Sequence, residues 1–117
     1  MRGKIIDPKE IAERFARSLS SSLHAFIFDS SLVDPGIVSR IVAVSGTDQY
    51  LRRFVKDNVV VYVLDASKLE KRCRMETCRS VPRERYRICL SDCLKKQTDD
   101  LARVVAQSIM DAVDLLG

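Results

Sequence analysis

A chain of 117 residues, 46% hydrophobic and 31% charged, is long enough to bury one core and too short for a second catalytic domain. Its longest uninterrupted apolar run, Val59 to Leu64, falls far below the ~20 residues a helical membrane span needs, so no membrane partner is expected. The net charge of +4 is unevenly spread: Lys68 to Lys96 holds ten basic and four acidic side chains, a local excess of +6 that leaves −2 on the rest. Such a block calls for an anionic partner.

The N-terminus is charged but has no apolar stretch or small-residue cleavage site behind it, which does not read as a signal peptide and places the protein in the cytoplasm. Asn and Gln number four and Trp is absent, a composition that leans towards heat adaptation. Four cysteines in a reducing compartment usually signal metal or redox chemistry, with intracellular proteins of hyperthermophiles as the recognised disulfide-bearing exception.

In chain order, Asp7-Pro8-Lys9-Glu10 opens the first helix. Asp7 caps it, Pro8 takes the first position, where a missing N–H costs nothing, and Glu10 reaches back as in a capping box. Ile11, Phe15 and Leu19 form its apolar stripe, and Ser20-Ser21-Ser22 ends it. Three strands follow: Leu23 to Asp29, Val38 to Ser45 and Val59 to Leu64, all rich in β-formers and bounded by turn residues. A short helix over Gln49 to Lys56, capped by Thr47-Asp48, joins the second strand to the third, an order that favours parallel neighbours with a right-handed crossover. Ser67-Lys68-Leu69-Glu70 is a further capping box, opening a helix that stops near Cys78. After a break at Ser80-Val81-Pro82 a helix runs to about Lys96. Thr98-Asp99-Asp100 caps the last one, with Leu101, Val104, Val105, Ile109, Ala112, Val113 and Leu116 on one face and Gly117 at its end. The expected architecture is a single α/β or α+β domain with a three-stranded sheet, its α/β part over 1–66 and a basic, cysteine-containing helical part over 67–117.

The cysteines follow the pattern Cys73-x4-Cys78-x10-Cys89-x3-Cys93. If two helices fold back on each other around Arg79 to Pro82, Cys73 can face Cys93 and Cys78 can face Cys89, giving two nested disulfides across a helical hairpin. Four cysteines allow three connectivities, and spacing does not choose among them. Adjacent pairing is disfavoured because Cys89 and Cys93 are one turn apart on one helix. Cys73 and Cys78 are about 140° apart on an α-helix, so the inner cysteine belongs at or beyond the helix end. The arrangement resembles the helical-hairpin disulfide scaffold of the α-hairpinin and twin-CX3C type over about 21 residues, departing from it by x4 in the first pair; we take this as a shared geometric solution, not kinship. The rivals are free thiols and a zinc or iron–sulfur site on all four cysteines, although no Cys-x2-Cys occurs. In the preferred reading the protein needs no cofactor.

A search for chemistry returns no catalytic residue. His24, the lone histidine, stands in the first predicted strand as a packed or surface residue, and neither a nucleophile elbow nor a Walker loop is present. Val44-Ser45-Gly46-Thr47-Asp48 reads as an ordinary turn, with phosphate held on its free amides as the functional alternative. Asp29, Asp48 and Asp65 near strand ends suggest, as a minor reading, a magnesium site of a small metal-dependent nuclease. The basic block offers more: Arg79, Arg83, Arg85, Tyr86 and Arg87 put guanidinium groups and one aromatic ring around the hairpin tip, a set that binds phosphates and stacks a base. Its bland counterpart is a solvated face with pairs such as Arg72 and Glu76, which would not neutralise +6. The expected function is a non-enzymatic module contacting nucleic acid or a ribonucleoprotein. The alternative is a structural or assembly protein that forms a homo-oligomer, or docks on a protein partner, through an exposed apolar helix face around Leu101 to Leu116.

Phe26-Ile27-Phe28-Asp29, then Ile41 to Tyr50 with Gly46 and Gln49, then Val59 to Leu64, resemble the order of strand, Gly-containing turn with Gln, helix and strand in the small tRNA-binding, kinase-contacting subunit of the KEOPS tRNA-threonylcarbamoylation complex. The resemblance covers about 40 residues. It lacks that family's long helices between the first strand and the Gly turn, and the four-cysteine module is no part of it. It implies a non-catalytic, tRNA-binding subunit.

Overall fold

The computed structural model describes residues 7–116. The start of the chain, read above as lacking a signal peptide, and Gly117, read as ending the last helix, lie outside them. Helix α1 spans Pro8–Ser20, strand β1 Ala25–Asp29, helix α2 Pro35–Ser45, strands β2 and β3 Leu51–Lys56 and Val59–Leu64, helix α3 Ser67–Arg72 and helix α4 Arg83–Leu116. A 3-10 turn at Asp48–Tyr50 precedes β2, and a π turn at Cys73–Thr77 follows α3. Two compact units result: one takes the described residues through Leu64 and those from Ala102 onward, the other Asp65–Leu101. The helical half thus gives its last turns to the first unit. Among the described residues no helix is long and apolar enough to cross a membrane.

In the first unit, α1 starts as its sequence dictates. The Asp7 carboxylate accepts the Lys9 amide at 3.0 Å, with Pro8 behind it, while Glu10 pairs with Arg14 at 3.3 Å instead of reaching back. Ile11, Phe15 and Leu19 are fully buried. The Phe15 ring lies 4.8 Å from that of Phe26 and 5.4 Å from that of Tyr62, so α1 covers one face of the sheet, the face that also carries Phe28, Val60 and Leu64.

The sheet has three strands in the order β1-β3-β2, antiparallel throughout. The expected parallel crossover is therefore absent, and the second strand is not where propensity placed it. Val38 to Ser45 belongs to α2. Asp34 caps that helix, its carboxylate accepting the Gly36 amide at 2.8 Å; Pro35 stands at its first position, and Val38, Ile41 and Val42 are buried at helical spacing. The segment expected to be a helix, 49–56, is mostly β2, joined to β3 by the two-residue turn Asp57-Asn58, with Asp57 in the left-handed region at φ 53°. The element order carried by the KEOPS resemblance, a strand before the Gly turn and a helix after it, is reversed here.

The last helix does not restart at Thr98-Asp99-Asp100; those residues lie inside the continuous α4. Its buried residues beyond position 101 are Ala102, Val105, Ala106, Ile109 and Ala112, whereas Val104 is exposed. Of the apolar face expected to await an oligomeric partner, Val105, Ile109 and Ala112 are core of the first unit, whereas Val113 and Leu116 are half-buried. Small alanines at positions 102, 106 and 112 permit the close approach that burial requires.

Candidate nucleic-acid interface

The second unit, Asp65–Leu101, is a helical hairpin. Its first helix is held by Asp65, whose carboxylate accepts both the Ser67 amide at 3.0 Å and the Ser67 hydroxyl at 2.7 Å. The expected capping box on Ser67 is not formed, and Glu70 instead pairs with Arg74 at 2.8 Å. The chain then passes through the π turn, the loop Cys78 to Pro82 and into α4.

Disulfides join Cys73 to Cys93 and Cys78 to Cys89, with Cα separations of 6.0 and 5.9 Å. This is the nested pairing. No thiolate remains for zinc or an iron–sulfur cluster on this module, and among the described residues no group of three His, Cys, Asp or Glu side chains gathers as a metal site. Cys73 and Cys78 are fully buried, and with Leu69 they form the interior of the hairpin.

Outside this interior the surface is basic. Lys68, Lys71, Arg72, Arg74, Arg79, Arg83, Arg85, Arg87, Lys95 and Lys96 are all exposed. Among the described residues the one ion pair within Lys68–Lys96 is that of Arg74 with Glu70; the expected pair of Arg72 with Glu76 does not form. Most of the excess of +6 faces solvent unneutralised.

The helical period sorts the five candidate residues. Arg83, Tyr86, Arg87 and Leu90 recur at i, i+3, i+4 and i+7 along α4 and, with Val81, line a shallow depression of about 420 Å³. Arg85 falls on a different side and lines a second depression of about 500 Å³ with Val81, Pro82, Ile88 and Cys89. Arg79 stands in the loop and lines neither. The half-buried Tyr86 thus shares one depression with the exposed Arg83 and Arg87 side chains and with Val81 and Leu90. Such a surface can stack a base and hold the phosphates on either side of it.

The remaining candidates are not assembled for chemistry. His24 precedes β1 with φ 48°, and its Nδ1 lies 2.8 Å from the Leu19 carbonyl, which places a proton on Nδ1 and fixes the turn between α1 and β1. Asp29 lies opposite Val59, whereas Asp48 precedes β2, whose first residue faces Leu64; these two carboxylates sit at opposite ends of the sheet. Asp29 is committed to the Ser31 amide and hydroxyl at 2.8 and 2.7 Å, contacts that hold its carboxyl below the usual carboxylate range. The Gly46 turn ends a helix instead of starting one. Gly46, at φ 70°, donates to α2 carbonyls, and the Thr47 amide donates to the carbonyl of Val42 at 3.4 Å, so these amides are used and hold no phosphate. A third depression of about 400 Å³, in the first unit, is lined by Ser39, Val42, Asp48, Leu51, Arg53 and Tyr62 among others; no hydrogen bond joins its Ser39 hydroxyl to its Asp48 carboxylate.

No family model, curated protein or solved structure matches this chain. The functional reading therefore rests on the residues themselves.

Proposed function

We propose that the disulfide-pinned hairpin is a non-enzymatic binding module for nucleic acid, free or within a ribonucleoprotein, with Arg79, Arg83, Arg85, Tyr86 and Arg87 as its contact residues. The observation that carries this reading is that Tyr86 shares one depression with Arg83 and Arg87, on a surface with ten exposed cations and a single internal ion pair among the described residues. Guanidinium groups match phosphate geometry and also stack on bases, so an aromatic ring sharing a depression with arginines suits single-stranded segments better than a smooth duplex. The two crosslinks pre-order the hairpin, which lowers the entropy cost of presenting these side chains. Disulfides of this kind belong to an oxidising compartment or to heat-adapted intracellular proteins.

The test is fluorescence anisotropy with labelled single-stranded RNA and DNA oligonucleotides, duplexes of the same sequence, and total tRNA as a structured RNA. Affinity is expected to fall steeply between about 50 and 200 mM salt, the slope tracking the number of phosphates neutralised. The triple reversal Arg83→Glu, Arg85→Glu, Arg87→Glu is expected to abolish binding. Binding that ignores both salt and the reversal would refute the proposal.

A further inference from the structure

The sheet covers one face with α1 and leaves the other open. Its register sets three rows across the open face: Ala25, Val63 and Arg52; Ile27, Val61 and Phe54; Asp29, Val59 and Lys56. Strand alternation assigns these residues to one side, since Phe26, Phe28, Val60, Tyr62 and Leu64 point into the core. Ile27 is 59% exposed, Phe54 55% and Val59 45%. The middle row is therefore wholly apolar. At the hairpin end the face carries an acid on β1 and a base on β2, with Val59 between them.

We propose that this face packs against the same face of a second copy of the chain, about a two-fold axis lying between the sheets and parallel to the strands. That operation lays β1 of each copy over β2 of the other and keeps the rows in register. Ile27 then meets Phe54 of the second copy, Val61 meets its counterpart, and Asp29 meets Lys56 twice. The face thus complements itself in both shape class and charge, as an isologous interface requires. The other in-plane axis, perpendicular to the strands, would set Arg52 against Lys56 and Ala25 against Asp29, opposing like charges along β2. Charge selects the first arrangement.

Three strands about 4.8 Å apart and five residues long give a footprint of roughly 250 Å², well under the ~800 Å² per partner of a standard stable interface. The dimer is accordingly a weak one, populated at concentrations of roughly 10–500 µM. It is independent of the hairpin and of the proposed nucleic-acid contact.

Sedimentation analysis across that range tests the proposal. The wild-type protein should pass from monomer to dimer as concentration rises, and Phe54→Glu should weaken association by at least ~10-fold, because a carboxylate would be buried against apolar side chains. Asp29→Lys and Lys56→Glu should each be monomeric alone, since each homodimer opposes like charges twice. An equimolar mixture of the two should associate, since both pairs are restored in the heterodimer. Because Asp29 also holds the Ser31 turn, the fold of Asp29→Lys is checked by circular dichroism; if that variant does not fold, the Phe54→Glu result decides. A wild-type protein monomeric throughout, a Phe54→Glu dimer of unchanged strength, or a mixture of folded variants no tighter than its components would overturn the proposal.

Discussion

The backbone amide of Cys78 donates to the carbonyl of Cys73 at 2.8 Å, closing an i to i+5 turn at the end of the hairpin's first helix. On an α-helix these two residues would stand about 140° apart. A π turn takes in one extra residue, which brings the fifth residue round to the same side as the first. Both sulfurs then face Cys93 and Cys89, which are one ordinary turn apart on α4. The x4 spacing is thus accommodated by backbone geometry, with Cys78 standing just beyond the helical residues, at φ −104° and ψ 11°.

The crosslinks are expected to be a main source of the hairpin's stability. On the chain-entropy model, replacing either pair with serines, Cys73→Ser with Cys93→Ser or Cys78→Ser with Cys89→Ser, should cost about 2–4 kcal/mol in urea unfolding. The intact mass should lie four hydrogens below that of the reduced chain, two for each bond. Zinc should bind only after reduction. A mass equal to the reduced value in protein purified without reductant would contradict the pairing.

Tyr86 should contribute stacking, which is largely insensitive to salt. Tyr86→Ala is expected to weaken binding to single-stranded oligonucleotides by about 1–3 kcal/mol while leaving the salt slope unchanged, and Tyr86→Phe should retain most of the affinity. Parallel salt titrations of the three proteins separate the ring's contribution from that of the arginines that share its depression.

Phe15 joins α1 to the sheet through the rings of Phe26 and Tyr62, and it is fully buried. Phe15→Ala should destabilise by about 3–5 kcal/mol, the transfer free energy plus the cavity left behind. Chemical denaturation monitored by circular dichroism measures it, with Phe15→Leu expected to lose less.

Asp29 gives a pH dependence whose sign is fixed by its hydrogen bonds. Its carboxyl is held below the ordinary value of 3.8, first by the Ser31 hydroxyl and then by the Ser31 amide. A folded-state value below the unfolded one means a contribution that is complete above the unfolded pKa and is lost as pH falls through the folded one. Stability curves collected from pH ~5 downward should therefore decline less steeply for Asp29→Asn than for the wild type. An identical acid limb in the two proteins would remove Asp29 from the account.

Much of the candidate site is legible in the sequence because its signals are local. The charge block is a count, and the nested cysteine pairing follows once two helices fold back. What reading residues in a row does not supply is phase. Only the helix brings Tyr86, Arg83 and Arg87 to one depression and sends Arg85 to another. The hairpin of β2 and β3 had its own local signal, two β-forming runs around Asp57-Asn58, which the helix expected over 49–56 obscured. The phosphate reading of Gly46 failed for a related reason: the same residue types serve the start and the end of a helix, and the direction of the chain decides whether free amides or free carbonyls are presented.

Elements whose local signals agree with one another are legible from residue order alone. Asp7-Pro8 and the Ile11, Phe15, Leu19 stripe define α1 and the apolar run Val59–Leu64 defines β3, whereas the cysteine spacing permits the stapled hairpin without choosing its pairing, which the fold supplies. Tertiary structure decided the rest wherever local preferences conflicted. Val38 to Ser45 is rich in β-branched residues, yet Val38, Ile41 and Val42 find their burial on a helix. Leu51 to Lys56 became a strand because β3 offered an unpaired edge, and Thr98 to Asp100 remain helical between turns that are fixed on either side. Propensity differences are a few tenths of a kcal/mol per residue, whereas burying one large side chain is worth about 1.5–3 kcal/mol, so the partner surface outweighs the local preference.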